Sequence, residues 1–197
     1  MPWTTWSERE LRRTFCGAGS AMQAATTTPS SSSSPGECRT RSRSLWERLD
    51  DFEGVLVTAD RSKALELDEG ERARVWAAKA WNALRALDSY TQAAREGLNG
   101  GFYQHCTSDR PGAVNWPLKQ FAPAESDTTM NRWDAERIFA VPEDVDPSGR
   151  KEMQAHLKLG SKGSTSPRIY FLDDTEGITG RVIVGYIGPH LTNTKTN

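Results

Sequence analysis

The strongest constraint on the fold is a run of strand and turn signals near the end of the chain, over residues 153–191. Apolar residues recur there in three short segments, at about 153–159, 167–172 and 181–188, and the last two are rich in β-branched and aromatic residues. The residues between the segments are rich in Gly, Ser, Asp and Thr, which turns favour. The pattern predicts three antiparallel strands joined by short loops.

Side chains along each of these strands should alternate between the two faces of the sheet. Ile169 and Phe171 then share one face of the second strand. By the same rule, Val184 and Tyr186 share one face of the third strand. Gly185 lies between them and interrupts the packing, so it predicts a β-bulge or a close approach by another backbone.

A long helix is the second strong prediction, over residues 68–97. Asp68 and Glu71 have the spacing of a capping box, and Gly97 is a typical helix terminator. The apolar positions form one stripe along the helix: Trp76, Ala77, Ala80, Trp81, Ala83, Leu84, Leu87, Tyr90 and Ala94. Such a stripe predicts a helix packed along one side against the core.

The remaining elements are shorter. Leucine, tryptophan and phenylalanine at helical spacing predict a helix over 44–53. The region 99–152 is rich in loops and contains a predicted strand at 102–106, a predicted helix at 125–137 and a predicted strand at 138–141. Together with the C-terminal strands, these segments indicate the α+β class, with helices packed on a small antiparallel sheet.

The chain is predicted to be one domain that follows a tail. Residues 1–44 are rich in Ser and Thr and have too few apolar side chains to offset the entropy of ordering them, so we expect a disordered tail. The domain would cover 45–197, with a helical part at 45–98, a loop-rich part at 99–152 and the antiparallel sheet at 153–191.

Composition excludes several classes of protein. The net charge is −1, so the whole chain is not an obvious polyanion binder. The three cysteines have no zinc-ligand spacing, and no apolar run reaches the roughly 20 residues of a membrane span. We therefore expect no metal site, no cofactor, no membrane partner and a cytoplasmic location. An export signal at Arg12 and Arg13 is the alternative, but the stretch that follows is short and broken by Gly and Ser.

An acidic loop could suggest a cation site. Glu143, Asp144 and Asp146 lie close together in sequence, and carboxylates are the ligands that hard divalent cations prefer. The loop lacks the spacing and the glycine of an EF-hand. We interpret it as a solvated turn.

The C-terminal segments also carry most of the chemically useful side chains. The order of segments 156–159, 168–171 and 182–190 resembles the RelE-type toxin superfamily. Members of that superfamily end in a small antiparallel sheet and cleave messenger RNA or act on other targets. The resemblance covers about 40 of the 197 residues. The chain departs from the family pattern by an extra segment, residues 99–152, between the helices and the sheet.

The resemblance implies a toxin-like or defence-associated, RNA-directed protein, with the chemistry of a metal-independent ribonuclease. Such an enzyme activates a ribose 2′-hydroxyl against the adjacent phosphate, which requires a base, a proton donor and positive charge. The residues implied in catalysis are His190 and His156 as acid and base, and Arg168 on the phosphate.

Three more residues are implied in binding nucleic acid. Lys158 would contact the phosphate, and Tyr170 or Tyr186 would stack on a base. RNA or the ribosome would then be the partner.

Purely structural roles remain open for all of these residues, because strand tyrosines commonly pack and a histidine at a strand end commonly bonds its loop. The competing interpretation is a non-catalytic module that binds a protein partner through the sheet and the Trp-rich helices. A third is a small-molecule enzyme with its pocket under the loops of 102–152. Convergence of His156, Lys158, Arg168 and His190 in one open groove would favour the nuclease, and scatter over both sheet faces would favour the interaction module.

Overall fold

The structure is a computed structural model, and it describes residues 45–69, 71–160 and 166–193. The predicted tail, residues 1–44, lies outside the described residues. So do the link at 161–165 and the chain end beyond residue 193.

Within the described residues, seven strands form two sheets. They are β1 (Val55–Val57), β2 (Phe121–Ala122), β3 (Ile138–Ala140), β4 (Arg150–Glu152), β5 (His156–Lys158), β6 (Arg168–Asp174) and β7 (Arg181–Gly188). Five strands make the main sheet in the order β1-β7-β6-β5-β2, and β3 pairs with β4 separately. The pairs β2–β5, β5–β6 and β6–β7 are antiparallel, whereas β1 runs parallel to β7. The α+β class is confirmed, and the predicted C-terminal strands form the antiparallel part of a larger, mixed sheet.

Helices cover the sheet and connect its strands. They are α1 (Arg61–Leu65), α2 (Ala73–Arg95), α3 (Phe102–Thr107) and α4 (Asp127–Trp133). Short 3₁₀ turns lie at Leu49–Asp51, Glu66–Glu69, Leu118–Gln120 and Asp134–Arg137. The helix predicted over 44–53 does not form as one element: within its described residues, the structure has a short 3₁₀ turn at Leu49–Asp51. Within the described ranges, no helix is both long enough and apolar enough to cross a bilayer.

The long helix α2 is shorter at its start than the sequence predicts. It begins at Ala73, and its N-cap residue, Arg72, makes no side-chain capping bond. Its buried residues include Ala80, Leu84 and Leu87, which belong to the predicted apolar stripe. The stripe therefore packs into the main core, where small alanine side chains allow a close approach to the sheet.

The strand predicted at 102–106 is wrong, because these residues form helix α3. Phe102 and His105 are both buried, and a separation of three residues places both on one face of a helix. The Gln104 side chain accepts a 3.1 Å hydrogen bond from the backbone N–H of Gly101, which satisfies a donor at the helix start.

The main sheet has a different core on each face. The face toward α2 carries Leu157, Ile169, Phe171, Val182, Val184 and Ile187. The opposite face carries Tyr170, Ile183 and Tyr186, which pack with Met153 and Val141. This second face is the one on which the polar side chains discussed below are found.

Gly185 forms the predicted β-bulge and changes the predicted faces. Tyr170 is paired with Tyr186, but the next residue of β6 is paired with Val184, so Gly185 is an extra residue in β7. Val184 and Tyr186 consequently lie on opposite faces, although strict alternation predicts one face for both.

The position of Gly185 also brings another segment close. A Cβ atom there would lie 2.5 Å from Cβ of Phe139 and 2.7 Å from Sδ of Met153. Both residues belong to the segment that covers the second face of the sheet. A glycine is therefore required at this point of close packing.

Candidate functional site

Four of the predicted site residues line one cavity of about 350 Å³: His156, Lys158, Arg168 and His190. Glu125, which the sequence did not single out, lines the same cavity. The four side chains therefore converge and are not scattered over both faces of the sheet.

The register of β5 and β6 brings three of these side chains together. His156 and Lys158 are two residues apart on β5, so their side chains project from the same face. His156 lies opposite Tyr170, and Lys158 lies opposite Arg168. Directly opposed Cβ atoms in an antiparallel pair are about 4.5–5.5 Å apart, so an imidazole and two cations form one patch.

His156 is held as a neutral base. It is 5% exposed, its Nδ1 lies 2.9 Å from the carbonyl oxygen of Gln154, and its ring packs on Tyr170 with centroids 4.8 Å apart. Burial lowers the pKa of His156 to about 4, although the Gln154 carbonyl and the Glu125 charge act in the opposite direction. At neutral pH Nδ1 therefore carries the proton that it donates to Gln154, and Nε2 is left as the nitrogen that can accept one.

Arg168 is a buried cation with unused hydrogen-bonding capacity. It is 7% exposed, and its Nη1 donates to three carbonyl oxygens at 2.9–3.1 Å, those of Gly160, Ser166 and Pro167. Its Nε is buried without a partner. Burial lowers the pKa of Arg168 from 12.5, but a guanidinium remains charged at neutral pH. Among the described residues, no carboxylate forms an ion pair with Lys158.

His190, which follows β7, also lines the cavity, and both of its ring nitrogens have hydrogen-bond partners. Its Nδ1 lies 2.5 Å from the carbonyl oxygen of Leu191, and the Asn193 amide donates to Nε2 at 3.1 Å. Burial lowers the pKa of His190. Both ring nitrogens are therefore satisfied in a neutral imidazole.

A buried ion pair joins Glu125, which lines the cavity, to Arg137, which does not. Glu125 Oε1 accepts hydrogen bonds from the Tyr170 hydroxyl at 2.5 Å and from Arg137 Nη2 at 3.3 Å. Arg137 is 0% exposed and also donates to the carbonyl oxygens of Trp133 and Thr192. Burial acts to raise the pKa of Glu125, but the Tyr170 hydrogen bond and nearby positive charge outweigh it and lower that pKa.

The predicted stacking roles of Tyr170 and Tyr186 are not compatible with their burial. Tyr170 is 0% exposed, and the Tyr186 hydroxyl donates to the carbonyl oxygen of Pro189 at 2.8 Å. Burial raises the pKa of both hydroxyls. Neither ring has a free face for a nucleobase, and both instead pack the second core.

No tryptophan among the described residues is fully exposed. The described tryptophans are all buried or half-buried: Trp46, Trp76, Trp81, Trp116 and Trp133. Trp46, Trp81 and Trp116 pack in or against the main core. The interaction-module interpretation stays a prediction.

Glu125 and Arg137 are the site residues that sequence reasoning missed. Glu125 could have been located from its neighbour Ser126, because serine is a typical N-cap residue. The Ser126 side chain caps α4 by accepting a hydrogen bond from the N–H of Thr129, so Glu125 lies just before the helix. Arg137 gave none, since an arginine in a helical pattern is ordinarily exposed.

A larger cavity, of about 550 Å³, lies beside β1 and is a weaker candidate. Its charged residues are Asp50, Glu53, Arg95 and Arg181, and all four are exposed. Solvent screens exposed charges strongly, so this cavity lacks the electrostatic environment of the His156 cavity.

Within the described part of the chain, no three His, Cys, Asp or Glu side chains are grouped so as to hold a metal ion. Comparisons with protein-family models, with curated proteins and with solved structures found no match. The resemblance to RelE-type toxins therefore stays a prediction.

Proposed function

We propose that the His156 cavity cleaves RNA by activating a ribose 2′-hydroxyl, without a metal ion. The observation that carries the proposal is the juxtaposition of a neutral, buried imidazole with two cations, Lys158 and Arg168, in one cavity. A base beside positive charge is what this reaction needs.

In the proposed reaction, Nε2 of His156 removes the proton of the 2′-hydroxyl, and the 2′-oxygen attacks the adjacent phosphorus. The bond from phosphorus to the 5′-oxygen of the next nucleotide breaks. The Lys158 ammonium gives a proton to that leaving oxygen. The products are a 2′,3′-cyclic phosphate and a 5′-hydroxyl, and exchange with solvent restores both side chains.

Arg168 has the role of stabilising charge on the phosphate. It is already fixed by the carbonyl oxygens around Nη1, so little reorganisation is needed when negative charge develops. The negative charge of Glu125 is balanced by Arg137 behind the wall. Lys158 and Arg168 therefore give the cavity an excess of positive charge.

His190 shapes the wall in this proposal and transfers no proton. Its Nε2 already accepts from Asn193, and its lowered pKa leaves it neutral at pH 7. A neutral imidazole with both nitrogens engaged is a poor proton donor.

The pKa of His156, about 4, makes it a weak base in the empty cavity. A bound phosphodiester brings a negative charge next to the ring and stabilises its protonated form. We expect substrate binding to raise this pKa and so to increase the strength of the base where it is needed. A toxin-like protein acting on RNA or ribosomes in the cytoplasm is the setting that this activity implies.

The test is RNA cleavage in EDTA by the full chain and by three variants. His156→Gln should lower the rate by about 100-fold or more, the usual contribution of a general base. Lys158→Ala should also lower it. Lys119→Ala is the matched control, because Lys119 is exposed and does not line the cavity, and it should leave the rate unchanged. Circular dichroism confirms that each variant is folded. No cleavage of naked RNA, and none with ribosomes present, would contradict the proposal.

A further inference from the structure

The reactive groups of the His156 cavity are recessed. His156 is 5% exposed and Arg168 is 7% exposed, and the cavity volume of about 350 Å³ is at the lower end of the range for small-ligand pockets. Alanines at 122 and 124 form part of the wall. The space suits one nucleotide step of a chain rather than the surface of a double helix.

The cavity offers little with which to read a base. No Phe, Tyr or Trp of the described residues lines it. The Ser126 and Thr129 hydroxyls are hydrogen-bonded to each other at 2.9 Å, and the Asn193 amide is bonded to His190. Stacking faces and base-edge hydrogen bonds are the usual sources of base specificity in RNA recognition. The described lining has no aromatic stacking face, and its Ser126, Thr129 and Asn193 side chains are already hydrogen-bonded.

Resting on the proposed function, we infer that the substrate is flexible single-stranded RNA, bound through its sugar–phosphate backbone with little preference between bases. A recessed base can reach a 2′-hydroxyl only if that nucleotide leaves the stack and enters the cavity. In an A-form duplex, the 2′-hydroxyls lie on a wide, shallow groove and the backbone is held by pairing. A duplex would have to unpair before its backbone could enter.

The same geometry sets the salt dependence of binding. Among the described residues, Lys158 and Arg168 are the two cations that line the cavity. With two phosphate contacts, the logarithm of the binding constant for a single strand should fall with the logarithm of salt concentration at a slope of about −1.4. Removing the charge of Lys158 should bring the slope to about −0.7.

The experiment uses the full chain and one RNA sequence, either single-stranded or annealed to its complement, in EDTA. We expect the single strand to be cleaved at least about a hundredfold faster than the duplex, because unpairing precedes entry. Single strands that differ only in the two nucleotides at the cleavage site should differ by less than about tenfold, since no base-reading pair of hydrogen bonds is available. A duplex with an unpaired bulge should be cleaved within the bulge.

A binding measurement distinguishes failure of the single-strand preference from failure of the proposed ribonuclease function. A single strand fully 2′-O-methylated cannot react, and its affinity at several salt concentrations gives the slope for the wild-type chain and for Lys158→Gln. Equal cleavage of duplex and single strand, or a preference among bases above about tenfold, overturns the inference alone. Absence of both binding and cleavage for every RNA overturns the proposed function, and the inference with it.

Discussion

Arg137 donates a 2.6 Å hydrogen bond from Nη2 to the carbonyl oxygen of Thr192, and the same nitrogen lies 3.3 Å from Oε1 of Glu125. One buried guanidinium therefore connects the segment after β7, which carries His190, with the loop before α4. Both segments contribute residues to the lining of the cavity. Arg137 does not line the cavity, so its role is to position the groups that do.

Replacing Arg137 with methionine should destabilise the fold strongly. The change leaves the Glu125 carboxylate buried without its ionic partner, and breaking a buried pair in this way costs about 3–5 kcal/mol. The free energy of unfolding from urea denaturation at pH 7 measures the effect. Arg132→Met is the matched control, because Arg132 is exposed on α4, and it should change stability by about 0.5 kcal/mol or less. Equal effects of the two substitutions would contradict the role given to Arg137.

The burial of His156 predicts a loss of stability in mild acid. Its pKa is lowered from 6.5 to about 4 in the folded chain, so between those pH values the unfolded state binds a proton that the folded state does not. Stability should fall as the pH drops from 6.5 to 4, by up to about 3 kcal/mol from this residue. Burial acts to raise the pKa of Glu125, but the Tyr170 hydrogen bond and nearby positive charge lower it from 4.5.

The contribution of His156 can be isolated by subtraction. The free energies of unfolding of the wild-type chain and of His156→Gln are measured from pH 7 to pH 4. Glutamine cannot take up a proton, so the difference between the two proteins should shrink or reverse as the pH falls. Curves that stay parallel over this range would show that His156 does not titrate as its burial requires.

Phosphate should raise the pKa of His156. Lys158 and Arg168 attract an anion into the cavity, and the negative charge then stabilises the imidazolium. Titration of the His156 ring resonances by NMR, with and without inorganic phosphate, measures the change. His105, buried beyond the cavity lining, is an internal control and should be unaffected. An unchanged pKa for His156 at saturating phosphate would argue against an anion site.

Gly185→Ala should destabilise the bulge in β7. The new Cβ would lie 2.5 Å from Cβ of Phe139 and 2.7 Å from Sδ of Met153, so the segment packed on the sheet must move. Overpacking of this kind typically costs about 1–3 kcal/mol. Gly101→Ala serves as the control, because its nearest neighbour would be 3.9 Å away. Urea denaturation compares the two, and a smaller effect at Gly185 than at Gly101 would contradict the close packing.

The periodic sequence pattern predicted the helices and strands whose structure depends mainly on residues close in sequence. The third C-terminal strand was expected at 181–188 and is Arg181–Gly188, and the long helix ends at Arg95, two residues before the predicted Gly97. In these segments the apolar pattern, the turn residues and the packing all favour the same structure. The convergence of the polar residues on β5 and β6 follows from the same alternation.

Pairings between distant parts of the chain could not be predicted in the same way. The parallel pairing of β1 with β7 joins residues more than a hundred positions apart, and no local pattern encodes it. The burial of Arg137 depends on partners contributed by two other segments. The face of Tyr186 depends on one extra residue, Gly185, which a strict period of two cannot anticipate.

The chemical groups at the ends of the cleaved RNA show whether the 2′-hydroxyl was the nucleophile. A single-stranded RNA is incubated with the full chain in EDTA, and the fragments are identified by mass spectrometry. Attack by the 2′-hydroxyl predicts a 2′,3′-cyclic phosphate on one fragment and a 5′-hydroxyl on the other, both absent with His156→Gln. Fragments with a 5′-phosphate and a 3′-hydroxyl, or intact RNA with the wild-type chain, would contradict cleavage by the 2′-hydroxyl.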